Sequence, residues 1–104
     1  MKYSNLNLKV QTNTIHSLPS NKTIDINLFS LSVNHHVFHF LFLQIEWLKD
    51  GFGITLKEKK VYMNRAGSLV INSFSASDQG SYICKASSEV ANLMSKEAVL
   101  TLAG

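Results

Sequence analysis

The sequence predicts an all-β chain, an antiparallel sandwich of short strands, and three observations predict it. From Ile45 onward, turn signals recur every 8–14 residues, the rhythm of sandwich strands. Between the turns, apolar and polar residues alternate with the period of a half-buried strand. The length, 104 residues, suits one domain with a core of its own, near the small and marginal end.

Taken in order, the first alternating sets are Leu6, Leu8 and Val10, then Ile24, Ile26 and Leu28, then Leu31, Val33, His35 and Val37. Each is compatible with a strand. Pro19-Ser20-Asn21 is the only strong turn signal here, and without glycine the register is poorly specified, so an atypical, poorly ordered N-terminal segment is expected. Ile45 and Trp47 then alternate with polar neighbours, and Asp50-Gly51 follows, a dipeptide suited to the positive φ of a tight turn. Val61 and Met63 form a brief alternating pair before the turn at Ala66-Gly67-Ser68. Leu69 and Ile71 alternate next, with Phe74 just beyond them. Tyr82, Cys84 and Ala86 share one strand face. After a polar loop around Ser87–Asn92, Ala98, Leu100 and Leu102 alternate again. Glu89–Lys96 is the nearest helical candidate and reads equally as a loop leading into the last strand.

Composition divides the chain near Gln44. Residues 1–44 contain no Gly, Ala, Arg or Glu, and hold all four histidines and Pro19, the single proline. All five glycines and all six alanines come later, although average usage would place about three glycines in a stretch of that length. The missing residues mostly have GC-rich codons, and several of the enriched ones have AT-rich codons. Residues 1–44 are therefore read as an atypical segment and 45–104 as the recognisable part of a domain.

Charge excludes one class of partner. Ten Lys and Arg against seven Asp and Glu give a net charge of +3, yet no basic stripe interleaved with aromatics backs the excess, so no nucleic-acid partner is expected. Lys57, Lys59 and Lys60 surround Glu58, a mixed-charge stretch of the kind found on solvated strand edges. The apolar run Val37–Leu43 is seven residues long and interrupted by His39; a spanning helix takes about 20. The segment MKYSNLNLKV has neither the apolar region nor the cleavage site of a secretion signal, so the chain as written is expected to lack one.

The later segments carry a family pattern. Ile45-Glu46-Trp47-Leu48-Lys49-Asp50-Gly51, Gly67-Ser68-Leu69-Val70-Ile71, Asp78-Gln79-Gly80-Ser81-Tyr82-Ile83-Cys84-Lys85-Ala86 and Ala98-Val99-Leu100-Thr101-Leu102 together resemble the immunoglobulin superfamily, most closely its intermediate-set (I-set) domains, from strand C to strand G. Trp47 lies 37 residues before Cys84, as the family spacing requires. The resemblance implies an immunoglobulin-like antiparallel β-sandwich in which Trp47, Leu69, Asp78, Gly80, Tyr82 and Cys84 are structural motif residues. Trp47 brings a large apolar body to the core. Tyr82 matches the tyrosine corner, Gly80 permits the tight turn before it, and Asp78 accepts bonds at that corner, with Arg65 or Lys60 as the candidate partner. These residues identify a scaffold and no ligand.

One departure from the pattern is large. The family places a strand-B cysteine about 11–14 residues before the tryptophan, bridged to the strand-F cysteine. That window here is Val33-Asn34-His35-His36, and Cys84 is the chain's single cysteine. His35 falls in the alternating series and is a candidate for the vacant place. Two origins for residues 1–44 stay open. They are translated intron or a mispredicted first exon, for which His39-Phe40-Leu41-Phe42-Leu43-Gln44 matches a pyrimidine tract ending in CAG, or they are divergent strands A and B that lost the disulfide. The fusion is favoured. Loss of such a disulfide costs about 2–5 kcal/mol against total stabilities of about 5–15 kcal/mol, so a marginal or aggregation-prone product is expected.

Other chemistry finds little support. His35 and His39 share a helical face, and His36 is adjacent, but zinc needs three or four ligands and no acid or thiol lies at motif spacing; no metal and no cofactor is expected. Cys84 lacks a basic neighbour at catalytic spacing and sits on an inward face. No nucleophile–base arrangement, phosphate loop or carboxylate pair can be assembled, so the chain is not read as an enzyme. Asn21-Lys22-Thr23 is a possible glycosylation sequon if the chain is exported.

The resemblance implies a protein–protein interaction module, a fragment of a larger adhesion, extracellular-matrix or receptor protein that is extracellular or at the cell surface. The alternatives are an intracellular muscle-type repeat, where the cysteine pair is often absent, and a gene-model fragment without independent activity. Transcript reads across Gln44–Ile45 test the origin of the first segment. On the fusion reading, spliced RNA does not continue the frame upstream of Ile45; abundant spliced RNA that does continue it selects the divergent-strand reading.

Overall fold

The strands bury apolar side chains on one face each, and those faces close on one another as two sheets. The computed structural model describes residues 8–12, 14–27, 44–65, 67–87 and 92–104. Its strands are β1 (Leu8–Gln11), β2 (Thr14–Leu18), β3 (Ile24–Asn27), β4 (Gln44–Lys49), β5 (Phe52–Gly53), β6 (Val61–Met63), β7 (Leu69–Ile71), β8 (Gly80–Ser87), β9 (Asn92–Met94) and β10 (Ala98–Leu102), with a 3-10 turn at Ala76–Asp78. One sheet runs β1-β3-β7-β6 and the other β2-β10-β8-β4-β5, with β9 also paired to β8.

The sandwich is the predicted one, and within it two pairings, β1 with β3 and β2 with β10, are parallel. Parallel neighbours cannot be joined by a tight hairpin, and the connectivity respects this. β2 and β10 are separated by most of the chain. β1 and β3 are separated by β2, which lies in the opposite sheet. The remaining pairs are antiparallel, the longest being β4 with β8, in register from Gln44↔Ser87 to Lys49↔Tyr82.

Turn chemistry sets the joints. Asp50 (φ 51°) and Gly51 (φ 91°) both take positive φ, the geometry of the two-residue hairpin between β4 and β5. Between β6 and β7, the Asn64 carboxamide accepts the Ser68 N–H at 3.0 Å, and Gly67 turns at φ 88°. Its carbonyl accepts the indole N–H of Trp47 at 2.9 Å, so the turn also satisfies the one polar atom of a buried tryptophan.

The core is shared between the early and late parts of the chain. Val10, Leu18, Ile24 and Ile26 are buried with Trp47, Leu69, Ile71, Phe74, Tyr82, Cys84 and Leu100 in one cluster. Ile24 stands opposite Ile71 and Ile26 opposite Leu69. Strand β3, the neighbour of β7, therefore lies at 24–27, some way before the window 33–36 where the family spacing looks for its cysteine. Leu28, His35, His36 and His39 lie outside the described residues. Alternation also misjudges Val70: all three residues of β7 are buried, Val70 standing between Asp25 and Tyr62 of the adjacent strands. Asp25 is buried and meets Lys9 Nζ at 3.2 Å.

The helical candidate at 89–96 is replaced by a strand. Asn92–Met94 pairs with Lys85–Ser87, because the free edge of β8 there offers hydrogen-bond partners that outweigh a weak local helical preference. Residues 88–91 lie outside the described residues.

Ile26→Ala tests the shared core. Truncating a fully buried isoleucine is expected to cost about 2–5 kcal/mol, read as a lower urea midpoint at unchanged slope. A midpoint within a few tenths of a kcal/mol of the parent would place residues 24–27 outside the cooperative core.

Candidate functional site

Two regions emerge from the residues singled out above: a polar corner beneath β8, and the outward face of the larger sheet. The corner is built on Asp78. The 3-10 turn buries its side chain, and Oδ2 accepts Lys60 Nζ at 2.8 Å, the Ser75 N–H at 2.9 Å and the Ser75 hydroxyl at 3.2 Å. Of the two basic candidates, Lys60 is the partner, with its ammonium also donating to the carbonyls of Asn72 and Ser73. Lys60 is thus a structural cation, unlike the solvated edge its sequence neighbourhood suggests. Three donors on one ammonium meet three acceptors, which is how a half-buried charge is held without a desolvation deficit.

Tyr82 lies four residues beyond Asp78, and its hydroxyl donates to the Asp78 carbonyl at 2.5 Å. The ring is buried and Lys49 Nζ stands 5.9 Å from its centroid. Burial, then the Asp78 and Asp50 carboxylates, hold this phenol above its usual range. Gly80 opens β8, and the reason for glycine there is close approach. A Cβ at this position would stand 2.9 Å from an Asp50 carboxylate oxygen and 3.0 Å from Lys49 Cε. The Asp50 carboxylate needs that space, since it accepts the Ser81 N–H at 2.9 Å while its own N–H bonds the Ser81 carbonyl.

Trp47 and Cys84 stand opposite one another across β4 and β8, both buried, and Leu69 lies in the facing sheet within the same cluster. Cys84 is a free thiol. Burial pushes it up to about 12, which leaves almost no thiolate at neutral pH and no means of acting as a nucleophile. Its backbone is clamped by Ser95: the Cys84 N–H donates to Ser95 Oγ at 2.9 Å, and the Ser95 N–H to the Cys84 carbonyl at 2.8 Å. Ser95 and the Asp50 carboxylate are the working residues that sequence reasoning passed over. Asp50 had a signal as half of an Asp-Gly turn; Ser95 had none. Asn21 is exposed on the turn between β2 and β3 with φ 65°.

The outward face of the larger sheet is a different surface. Alternation sends Leu48 of β4, Ile83 of β8, Val99 of β10 and Ile15 of β2 away from the core. Leu48 stands opposite Ile83 and Val99 opposite Ile15. Ile15 is 81% exposed, and Glu46 pairs with Lys85 farther along the same face. Phe52, 78% exposed, marks the β5 edge. Ser81 of β8 stands opposite Val99, so the face carries two neighbouring apolar pairs with charge at one end, and these can bury area against another protein. Among the described residues no cluster of three or more His, Cys, Asp or Glu is placed to hold a metal, and no helix is long and apolar enough to cross a membrane.

The sequence matches the Immunoglobulin I-set domain over residues 41–102, and no curated protein matches it. Among solved structures the chain is similar to Sidekick-1 immunoglobulin domains 1–4, with a TM-score of 0.67 and 21% identity over 97% of this chain and 24% of that one. It is also similar to the N-terminal Ig1-2 module of the Drosophila receptor protein tyrosine phosphatase DLAR, with a TM-score of 0.68 and 17% identity over 88% and 42%. Drosophila OTK extracellular domains 3–5 follow at 0.62 and 21% over 89% and 32%. The chain spans less than half the length of each of these structures.

The buried thiol generates a pH prediction. The unfolded thiol ionises near its ordinary 9.0 while the folded one keeps its proton to about 12. Stability is therefore full below about pH 9 and falls as pH rises through that window, Tyr82 adding a loss of the same sign at still higher pH. Urea midpoints are expected to be flat from pH 7 to 9 in this respect and to fall above it, with Cys84→Ala removing the first part of the fall. A thiol reagent at pH 8 should modify Cys84 in urea and not in buffer.

Proposed function

The chain belongs to the immunoglobulin I-set family, and from that premise we propose that it serves as a protein-binding module of a larger adhesion, extracellular-matrix or receptor protein, outside the cell or at its surface. The observation that carries this reading is the two apolar pairs Ile15–Val99 and Ile83–Leu48 on the outward face of the larger sheet. An isoleucine at 81% exposure contributes nothing to its own core. It gives a partner apolar area to bury, at about 25 cal/mol per Å². The family consists typically of binding modules, and the chain's one thiol is buried, both of which support this reading.

A second reading is favoured by one observation. Cys84 is a free thiol buried in the core, and a reducing interior is where such a sandwich persists without its bridge. That is the intracellular structural repeat. Of the two origins for residues 1–44, the burial of Val10, Leu18, Ile24 and Ile26 supports divergent strands A and B.

The test is binding to intact cells by the immobilised full chain, with Ile15→Asp and Leu48→Asp as variants checked for unchanged unfolding midpoints. Binding is expected, and each substitution should weaken it about tenfold, the effect of losing about 1.4 kcal/mol at an interface. Binding that neither variant alters would remove the outward face from the reading. Absence of cell-surface binding, with retention on isolated cytoskeletal fractions, would select the intracellular repeat.

A further inference from the structure

We propose that Asn21 carries an N-linked glycan, attached before the sandwich closes around Thr23. The inference rests on the export proposed above. Asn21-Lys22-Thr23 is the one Asn-x-Ser/Thr triplet in the chain, although the chain has nine asparagines. The middle residue is not proline, as the signal requires. The structure sets this triplet on the turn between β2 and β3, with Asn21 exposed. Its φ of 65° is a left-handed conformation that asparagine adopts more readily than most residues. No hydrogen bond among the described residues engages its carboxamide, and the residue is exposed.

The order of events comes from the other end of the triplet. Thr23 is half-buried, and its hydroxyl donates to the Asn72 Oδ1 at 3.0 Å. Asn72 is fixed in turn, donating from its side chain to the Lys59 carbonyl at 2.9 Å. The main chain is clamped as well: the Asn21 N–H bonds the Phe74 carbonyl and the Phe74 N–H bonds the Lys22 carbonyl, both at 2.9 Å. The hydroxyl that completes the acceptor signal is thus occupied once β3 has docked on β7. Only the unfolded or nascent chain offers the whole triplet. In the transfer, Asn21 Nδ2 forms a bond to the anomeric carbon of a lipid-diphosphate-linked oligosaccharide. The anomeric C–O bond breaks, the lipid diphosphate leaves with the electron pair, and Nδ2 gives up one proton to a base of the transferase.

The test uses the full chain behind a cleavable secretion signal in glycosylating cells, read on cell-associated and secreted protein together. Supplying the signal separates this site from the export reading, which is judged by where the untagged parent protein resides. A single step to higher mass is expected, removed by an amide-cleaving glycosidase, absent in Asn21→Gln and Thr23→Ala, and kept in Thr23→Ser. Because each variant is read before folding matters, a misfolded product still reports. A parent chain at unmodified mass, or a step that persists in Thr23→Ala, overturns the site. Purified folded and urea-unfolded chains are then offered to the same transferase with its lipid-linked donor. Modification of the unfolded chain alone is expected, with Asn72→Ala raising that of the folded chain; equal modification of both parent forms overturns the order.

Discussion

The pairing of β4 with β8 is the contact on which the rest of the sandwich depends. Six residue pairs run from Gln44↔Ser87 to Lys49↔Tyr82, and they set Trp47 and Cys84 side by side at the centre of the buried face. Everything else attaches to that ladder. The indole of Trp47 reaches the β6–β7 turn through Gly67 and so ties the facing sheet to it. The backbone of Cys84 holds Ser95, the joint between β9 and β10. A tryptophan is suited to this place because it fills the gap between sheets while keeping one donor for a carbonyl.

The corner around Asp78 fixes the other end of β8. Tyr82 reaches back to the Asp78 carbonyl, Asp78 reaches to Ser75 and Lys60, and Lys60 reaches the carbonyls of Asn72 and Ser73. Each buried polar atom in that chain of contacts has its partner, which is the condition for a polar cluster to stabilise a core. The same residues locate the Asn21 turn, since Phe74, beyond Asn72 and Ser73, exchanges main-chain bonds with Asn21 and Lys22. The corner and the Asn21-Lys22-Thr23 turn are therefore parts of one assembly, and docking β3 on β7 closes both.

Without a bridge at Cys84, the sheets are held chiefly by apolar burial, with the Trp47–Gly67 hydrogen bond between them. Val10, Leu18, Ile24 and Ile26 supply that burial from the segment whose composition looks least like the rest of the domain. Their contribution matters more here than in a bridged sandwich, where a disulfide adds about 2–5 kcal/mol. The outward face of the larger sheet is independent of this balance, because Ile15, Val99, Ile83 and Leu48 point away from the core.

The sequence by itself determined the sandwich class, the strands around Ile45–Trp47, Val61–Met63, Leu69–Ile71, Tyr82–Ala86 and Ala98–Leu102, the Asp50-Gly51 turn and the inward set Trp47, Tyr82, Cys84, Ala86 and Leu100, because period-2 burial and turn residues are local properties. It also restricted the partner of Asp78 to two residues. Only the tertiary structure decided that Lys60 is that partner, that Ser95 clamps Cys84, and that Gly80 is glycine to make room for Asp50; each is a contact between segments whose spacing in the chain carries no signal. The register of β3 on β7 was likewise invisible, since without a glycine or a cysteine to mark it, the alternating sets at 24–28 and 31–37 read alike. Packing separates them: Ile24 and Ile26 meet Ile71 and Leu69, and that long-range contact is what a single sequence does not record.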